Sequence, residues 1–352
     1  MNLDTPPSVV RKGQVCGTSL LLALTLSACG RSSGDGPSNT SVGTSPGVVD
    51  TGGGGSANAH RITRMRYDLD NNGTIDSVRT FSYNADGRVV AEHYTYTGDG
   101  SPDTDFRNFS IDAPSGNQTT SYTYDSSGLL QLWSIVDASG ARTDSRYEYG
   151  NDKLIDRYTI DTFNAVGGLT GTVYFQMDNM GTRLTDWRLY VDGNSTPSQN
   201  AALTYNAGGQ VQSDLLTVTS AGTQTLTTYG YNAAGRIQSV RQSTPSNSAF
   251  FSEHAYTYSS ANILSAIIAT GNSANDIYRW DYTVNSDGLN TEWRIDLDSN
   301  QTVEAIVYID WESGPCLQTF IWAPRAHPNF VAGGNVPYAP GSGYAVLPTC
   351  GP

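Results

Sequence analysis

From about residue 80 onward the chain repeats one pattern: two aromatic residues at i and i+2, a four-residue polar turn, then an aliphatic residue. It is plainest in Tyr229-Gly230-Tyr231-Asn232-Ala233-Ala234-Gly235-Arg236-Ile237 and recurs around Tyr122/Tyr124 and Phe81/Tyr83. Weaker copies sit at Tyr147/Tyr149, Tyr174/Phe175, Leu203/Tyr205, Tyr256/Tyr258 and Trp280/Tyr282. An i, i+2 pair places both rings on one face of a strand. Asn or Asp with a glycine three places later supplies the side-chain hydrogen bond and the positive φ of a tight turn. The return strand carries apolar residues at alternate positions, as in Leu130, Leu132 and Val136, and a second turn such as Ser139-Gly140 leads to the next aromatic pair. Each repeat therefore reads as a β-hairpin, and no sustained helical periodicity follows residue 60.

The recurring core, Tyr-x-Tyr-Asp/Asn-x-x-Gly-Arg/Leu-aliphatic, resembles the YD, or RHS, repeat of bacterial cell-surface proteins over roughly residues 80–285. The resemblance implies a long antiparallel sheet that spirals; large members of the family encapsulate toxins. This chain is short and several of its copies are eroded, so the resemblance speaks to fold and not to toxin carriage.

Ahead of the repeats, Arg11 and Lys12 precede an apolar run from Val15 to Ala28. About fourteen residues are too few to cross a hydrocarbon core of roughly 30 Å, so the run reads as a signal h-region. Its ending, Leu26-Ser27-Ala28-Cys29, resembles the bacterial lipobox, which implies that residues 1–28 are a signal peptide and that Cys29 is diacylated and anchors the chain to a membrane. Gly30 after the cysteine, where an aspartate would favour inner-membrane retention, points to the outer membrane. Residues 29–60 are rich in glycine and serine and cannot bury enough apolar surface to order themselves, so they read as a disordered tether.

Without residues 1–28 the chain keeps 18 basic and 32 acidic residues, a net charge of −14. That excludes the electrostatic footprint of a nucleic-acid binder. Lys153 is then the sole lysine, which leaves little scope for Schiff-base chemistry. Cys316 and Cys350 remain in a compartment that permits disulfides and are expected to pin a proline-rich cap, residues 311–352, over the last sheet edge of a 61–310 repeat domain.

The segment Asp68-Leu69-Asp70-Asn71-Asn72-Gly73-Thr74-Ile75-Asp76 follows the first nine positions of a calcium-binding EF-hand loop, making Asp68, Asp70, Asn72, Thr74 and Asp76 the candidate calcium ligands. Arg79 stands where the bidentate glutamate would be, and the flanks read as strands. Asp296 to Glu304 keeps the oxygens but has Gln301 in place of the glycine. Asp310 and Glu312 echo the end of a family-18 chitinase signature and are the candidate pair for an envelope glycoside hydrolase, although the further upstream acids are missing. The scattered His60, His93, His254 and His327 assemble no catalytic set.

The expected fold is all-β: an antiparallel meander of about eight hairpin repeats, closed or spiralled on its aromatic face, with a two-layer sandwich as the alternative. A transmembrane porin is not expected, because the strands lack an outward apolar band. The expected function is a non-enzymatic, lipid-anchored envelope module that binds a protein or glycan.

Overall fold

The computed structural model describes residues 60–97, 116–181, 183–191, 193–258, 264–271, 278–317, 320–322, 344–346 and 350; the signal segment, Cys29 and the tether to residue 59 lie outside them. The described residues form β1 (His60–Asp68), β2 (Ser77–Tyr83), β3 (Val89–Tyr96), β4 (Gln118–Tyr124), β5 (Leu130–Asp137), β6 (Arg142–Tyr149), β7 (Ile155–Phe163), β8 (Leu169–Met180) and β9 (Arg183–Val191). They continue with β10 (Gln199–Tyr205), β11 (Val211–Val218), β12 (Thr223–Tyr231), β13 (Ile237–Thr244), β14 (Asn247–Tyr258), β15 (Leu264–Gly271), β16 (Tyr278–Val284), β17 (Asn290–Asp296) and β18 (Ala305–Ser313). A short pair, β19 (Phe320–Trp322) and β20 (Tyr344–Val346), stands apart.

Every strand from β1 to β18 pairs antiparallel with the next, and β18 pairs back onto β1 from His60↔Ser313 to Asp68↔Ile306. The result is a closed 18-stranded up-and-down barrel. The all-β antiparallel expectation holds; the spiral and the two-layer sandwich do not, because the first and last strands find each other and leave no open edge. The cap accordingly does not cover a sheet edge. Cys316 and Cys350 form a disulfide, with Cα atoms 5.6 Å apart. Leu317 N–H donates to the Gly87 carbonyl at 2.9 Å, and Cys350 bridges to Arg61. These contacts hold Cys316, Leu317 and Cys350 at the barrel end where β1 begins. This is the proximal end, and the opposite one the distal end.

The repeat has a stricter geometry than its sequence suggests. Tyr124 pairs with Leu130 and Thr123 with Leu132, so Gln131 is an extra residue, a β-bulge one place beyond the turn. At the proximal end the same offset recurs at Tyr83↔Val89, Tyr149↔Ile155, Asn179↔Leu184, Tyr205↔Val211, Tyr231↔Ile237, Tyr258↔Leu264, Val284↔Asn290 and, across the closure, Trp311↔Ile62; at the distal end it occurs at Phe163↔Leu169. The eighteen strands are thus nine two-stranded units rather than about eight, the ninth being made by β18 and β1 with the chain's entry and cap where a turn would be. The bulge also inverts the return strand. Val136 is 37% exposed while Trp133 is buried and Ile135 packs on the core, so Leu132 and Val136 do not continue the inward face of Leu130. In two eroded copies the anchor is displaced. The unit positions fall to Asn179 and Val284, not to Phe175 and Tyr282, which lie further along the inner wall.

Neighbouring units are joined by one recurring interaction. The Tyr83, Tyr124, Tyr149, Tyr205, Tyr231 and Tyr258 hydroxyls donate to the carbonyls of Ile62, Val89, Leu130, Leu184, Val211 and Ile237, the first residues after the preceding unit's turn, at 2.5–2.9 Å. Trp311 Nε1 donates to Asn290 in the same way at 2.7 Å, and Asn179 Nδ2 to Ile155 at 3.2 Å. In four units the residue before the accepting carbonyl is an arginine laid over the arriving ring: Arg61 on Tyr83, Arg88 on Tyr124, Arg183 on Tyr205 and Arg236 on Tyr258, at 4.7–5.8 Å. This accounts for the Gly-Arg-aliphatic step of the repeat.

Inside, buried rings run from strand to strand: Tyr147 to Tyr158 at 4.9 Å, Tyr158 to Phe175 at 5.8 Å, Phe175 to Trp187 at 5.6 Å, and on the other arc Trp280 to Trp293 at 5.9 Å. Trp280, Ile295 and Val307 are wholly shielded from solvent, so this stretch of the wall is dry core and not the lining of a water-filled pore. Outside, strands present polar side chains, as in exposed Thr119, Ser121 and Thr123 on β4 and Gln238 and Arg241 on β13.

Burial raises the pKa of the Tyr231 phenol, and of Tyr205 despite the nearby Arg183 charge. A group whose pKa is raised on folding contributes stability that is intact below its unfolded value, near 10, and is lost as pH climbs above it. Tyr231→Phe is expected to lower unfolding free energy at neutral pH by about 1 kcal/mol and to soften the alkaline decline. Urea titrations at neutral pH and above pH 10 check this; an unchanged midpoint in the variant at neutral pH contradicts it.

Candidate functional site

The candidate metal ligands lie at the distal end, on two loops made neighbours by the barrel's closure. The first, Asp68 to Asp76, joins β1 to β2; the second, Asp296 to Glu304, joins β17 to β18. Since β1 pairs with β18, the loops touch, and Asn71 Nδ2 donates to the Val303 carbonyl at 2.7 Å.

The two loops follow the same path. The carboxylate of Asp68 accepts N–H bonds from Asn72 at 3.0 Å and Gly73 at 2.9 Å; that of Asp296 accepts them from Asn300 at 3.1 Å and Gln301 at 2.8 Å. Asp76 accepts from Leu69 N–H and Glu304 from Leu297 N–H, both at 2.7 Å. Asn72 and Asn300 each accept from the backbone N–H two residues on, at Thr74 and Thr302, at 2.7 Å. Left-handed backbone falls at Asn71 and Gly73 in one loop and at Ser299 and Gln301 in the other. Gln301 therefore adopts the φ for which Gly73 is suited, at 74° against 86°, and the missing glycine does not alter the loop.

These turns gather carboxylates. One oxygen each from Asp68, Asp70 and Asp76 lie within 4.8 Å of one another, as do those of Asp298, Asp296 and Glu304. Oxygens sharing one calcium at 2.3–2.6 Å stand no more than about 5 Å apart, so both triads have the span of a calcium site. Asp68 and Asp76 are buried and Asp70 exposed. Asn72 and Thr74 line the same turn, but the Asn72 amide oxygen is already engaged by the Thr74 N–H. In the second loop burial, with the charges of Asp296 and Asp298, pushes the Glu304 carboxyl above its ordinary value. Asp68, Asp70, Asp296, Asp298 and Glu304 take part in no ion pair among the described residues.

Asp310 and Glu312 sit elsewhere, side by side on the outer face of the closure. Arg64 Nε and Arg66 Nη2 reach Asp310 at 2.7 and 3.0 Å, and Arg61 Nε reaches Glu312 at 2.6 Å. Burial tends to raise the Asp310 pKa, but the two arginines outweigh it and hold the carboxyl below its ordinary value. Both carboxylates are thus engaged by arginines of β1. The pair matches the charges of β1 to those of β18 across the closure.

At the proximal end the cap leaves a cleft of about 770 Å³ between the first two repeat turns, lined by Asp86, Arg88, Tyr124, Ser126, Pro315 and Leu317 among others. A Cβ on Gly87 would lie 2.3 Å from the Pro315 carbonyl oxygen, so this turn needs glycine both for its φ of 86° and for the cap's approach.

No protein-family model matches the chain, and no curated protein matches it. Among solved structures, a porin-like protein from Bacteroides uniformis is similar at 10% identity and a TM-score of 0.37, over 72% of this chain and 97% of that one. A TcdB2-TccC3-TEV structure is similar at 14% identity and a TM-score of 0.24, over 69% of this chain and 16% of that one. The Photorhabdus luminescens Tc holotoxin pore gives 14% identity and a TM-score of 0.24, over 68% and 15%. The chain spans only about a sixth of those toxin chains. These likenesses are too loose to transfer a function.

Proposed function

We propose that the protein is a non-enzymatic module of the bacterial cell envelope, a rigid barrel held on the outer membrane through lipidated Cys29 and its glycine- and serine-rich tether. The observation that carries this reading is the placing of the two ends. His60, where the tether would enter, and the disulfide-held cap share the proximal end, while the paired acidic loops stand at the distal end. A tether rooted at one end turns the other outward. The polar outer wall of strands such as β4 and β13 supports a barrel that stands beside the bilayer rather than within it. The partner is a protein or glycan met at the distal end, and the acidic composition disfavours nucleic acid.

The paired loops extend this reading to calcium. Asp68, Asp70 and Asp76 in one loop and Asp296, Asp298 and Glu304 in the other supply the oxygen chemistry that ion prefers. Neutralising six crowded carboxylates would stiffen the rim that a partner meets.

Two measurements test the proposal. Cells fed a palmitate probe should label the wild type and not Cys29→Ala; an unlabelled wild type contradicts the anchor. Calorimetry with calcium should give binding heat on the wild type that is weakened in Asp70→Ala, whose carboxylate is the exposed one of the first triad. Absence of heat on the wild type leaves the loops as turns.

A further inference from the structure

The cleft at the proximal end belongs neither to the acidic loops nor to the closure. Its walls are the first two repeat turns, at residues 84–87 and 125–128, and the cap at Pro315 and Leu317. Elsewhere a polar side chain draws neighbouring turns together: Gln210 Nε2 donates to the Gly235 carbonyl at 2.8 Å. Arg88 holds the place of Gln210 in this pair, but its guanidinium lies over the Tyr124 ring at 5.6 Å. Among the described residues no hydrogen bond joins the two turns, and the gap between them stays open. The cap wall is fixed in place. Leu317 N–H bonds the Gly87 carbonyl at 2.9 Å, and the disulfide holds Cys316 beside it. A preformed cleft of about 770 Å³ has the size of a small-molecule site.

Its lining carries polar groups that bind nothing in the protein. The Asp86 carboxylate and the hydroxyls of Thr123, Ser126 and Ser127 have no partner among the described residues, and Arg88 makes no ion pair among them. The turns do not need these groups. Asn84 Oδ1 accepts from the Asp86 and Arg88 N–H groups, and Asp125 Oδ1 from those of Ser127 and Leu129. The free side chains therefore stand clear of the bonds that shape the turns. Carboxylates at Asp86 and Asp125 oppose an anion, and Arg88 opposes a cation. What remains is an uncharged ligand rich in hydroxyls, which can answer a donor and an acceptor set close together.

We propose that this cleft is a binding site for a short uncharged saccharide. Asp86 accepts from one ring hydroxyl and Arg88 donates to its neighbour, while the serine and threonine hydroxyls can do either. Pro315 and Leu317 offer the C–H face of a sugar ring a short apolar wall. An extended peptide would instead seek a sheet edge to pair with, and the closed barrel has none. The site is separate from the distal rim and lies at the end where the tether would enter, and it depends neither on calcium nor on the anchor.

Calorimetric titration of the full chain with chitotriose, maltotriose and trigalacturonate tests the proposal. A neutral trisaccharide should bind the wild type, and more tightly than the acidic one. Asp86→Ala removes an exposed carboxylate that no turn bond uses, so it should fold normally and weaken binding by about tenfold or more. Ser126→Trp fills the cleft and should abolish binding, with circular dichroism confirming the fold. Asp70→Ala, at the other end of the barrel, should bind as the wild type does. Four results overturn the proposal: no binding of either neutral sugar, tighter binding of trigalacturonate than of both, undiminished affinity in Asp86→Ala or in a folded Ser126→Trp, or a loss in Asp70→Ala.

Discussion

One hydrogen bond, repeated around a ring, governs this structure: in seven of the nine units a tyrosine or tryptophan, and in an eighth Asn179, reaches back to the carbonyl that opens the preceding unit's return strand. It needs three things in register. The turn must be tight enough to present that carbonyl, which the Asn-x-x-Gly step provides. The bulge must free it from the ladder at that point, and the next strand must carry Tyr or Trp opposite. Each bond contributes on the order of 1 kcal/mol net, modest alone, but it fixes the angle between successive hairpins. Eight such bonds, spread around the nine junctions, favour a closed sheet over a spiral.

The same interaction sorts the two faces of the wall. Because the bulge shifts the return strand by one residue, Trp133 and Ile135 point inward where simple alternation would have placed Leu132 and Val136. Most aromatic side chains then line the inner wall in two clusters, while threonine, serine, glutamine and paired charges face water. At the closure, where no turn joins the strands, the arginines of β1 and the acids of β18 stand opposite one another. Such exposed pairs add little stability; their value is in rejecting other registers.

Much of this was legible in the chain. Tyr229-Gly230-Tyr231 followed by Asn232 and Gly235 identifies strand, turn and strand, and Cys316 with Cys350 foreshadows the disulfide now seen. The acidic run from Asp68 likewise announces its loop. Closure was not legible, because a strand in a barrel and one in a spiral or sandwich have the same period of two. Nor was the ninth unit, since β18 and β1 lie at opposite ends of the sequence and share no turn motif. The unit containing Asn179 was hidden by a shortened turn and the loss of its tyrosine, which left Phe175 as a false anchor. The likeness of the two acidic loops was obscured by Gln301, because a glutamine at a left-handed position is uncommon enough to suggest a different turn.

Closure through β1 and β18 is what distinguishes a nine-unit ring from a spiral of hairpins, and amide hydrogen exchange reads it directly. In the ring, the Arg64–Tyr67 amides, flanked on both sides by β18 and β2, and their partners Val307–Asp310 exchange as slowly as those of the interior pair β12 and β13. Exchange of both segments at the rate of an open sheet edge, with β12 and β13 still protected, would contradict the barrel.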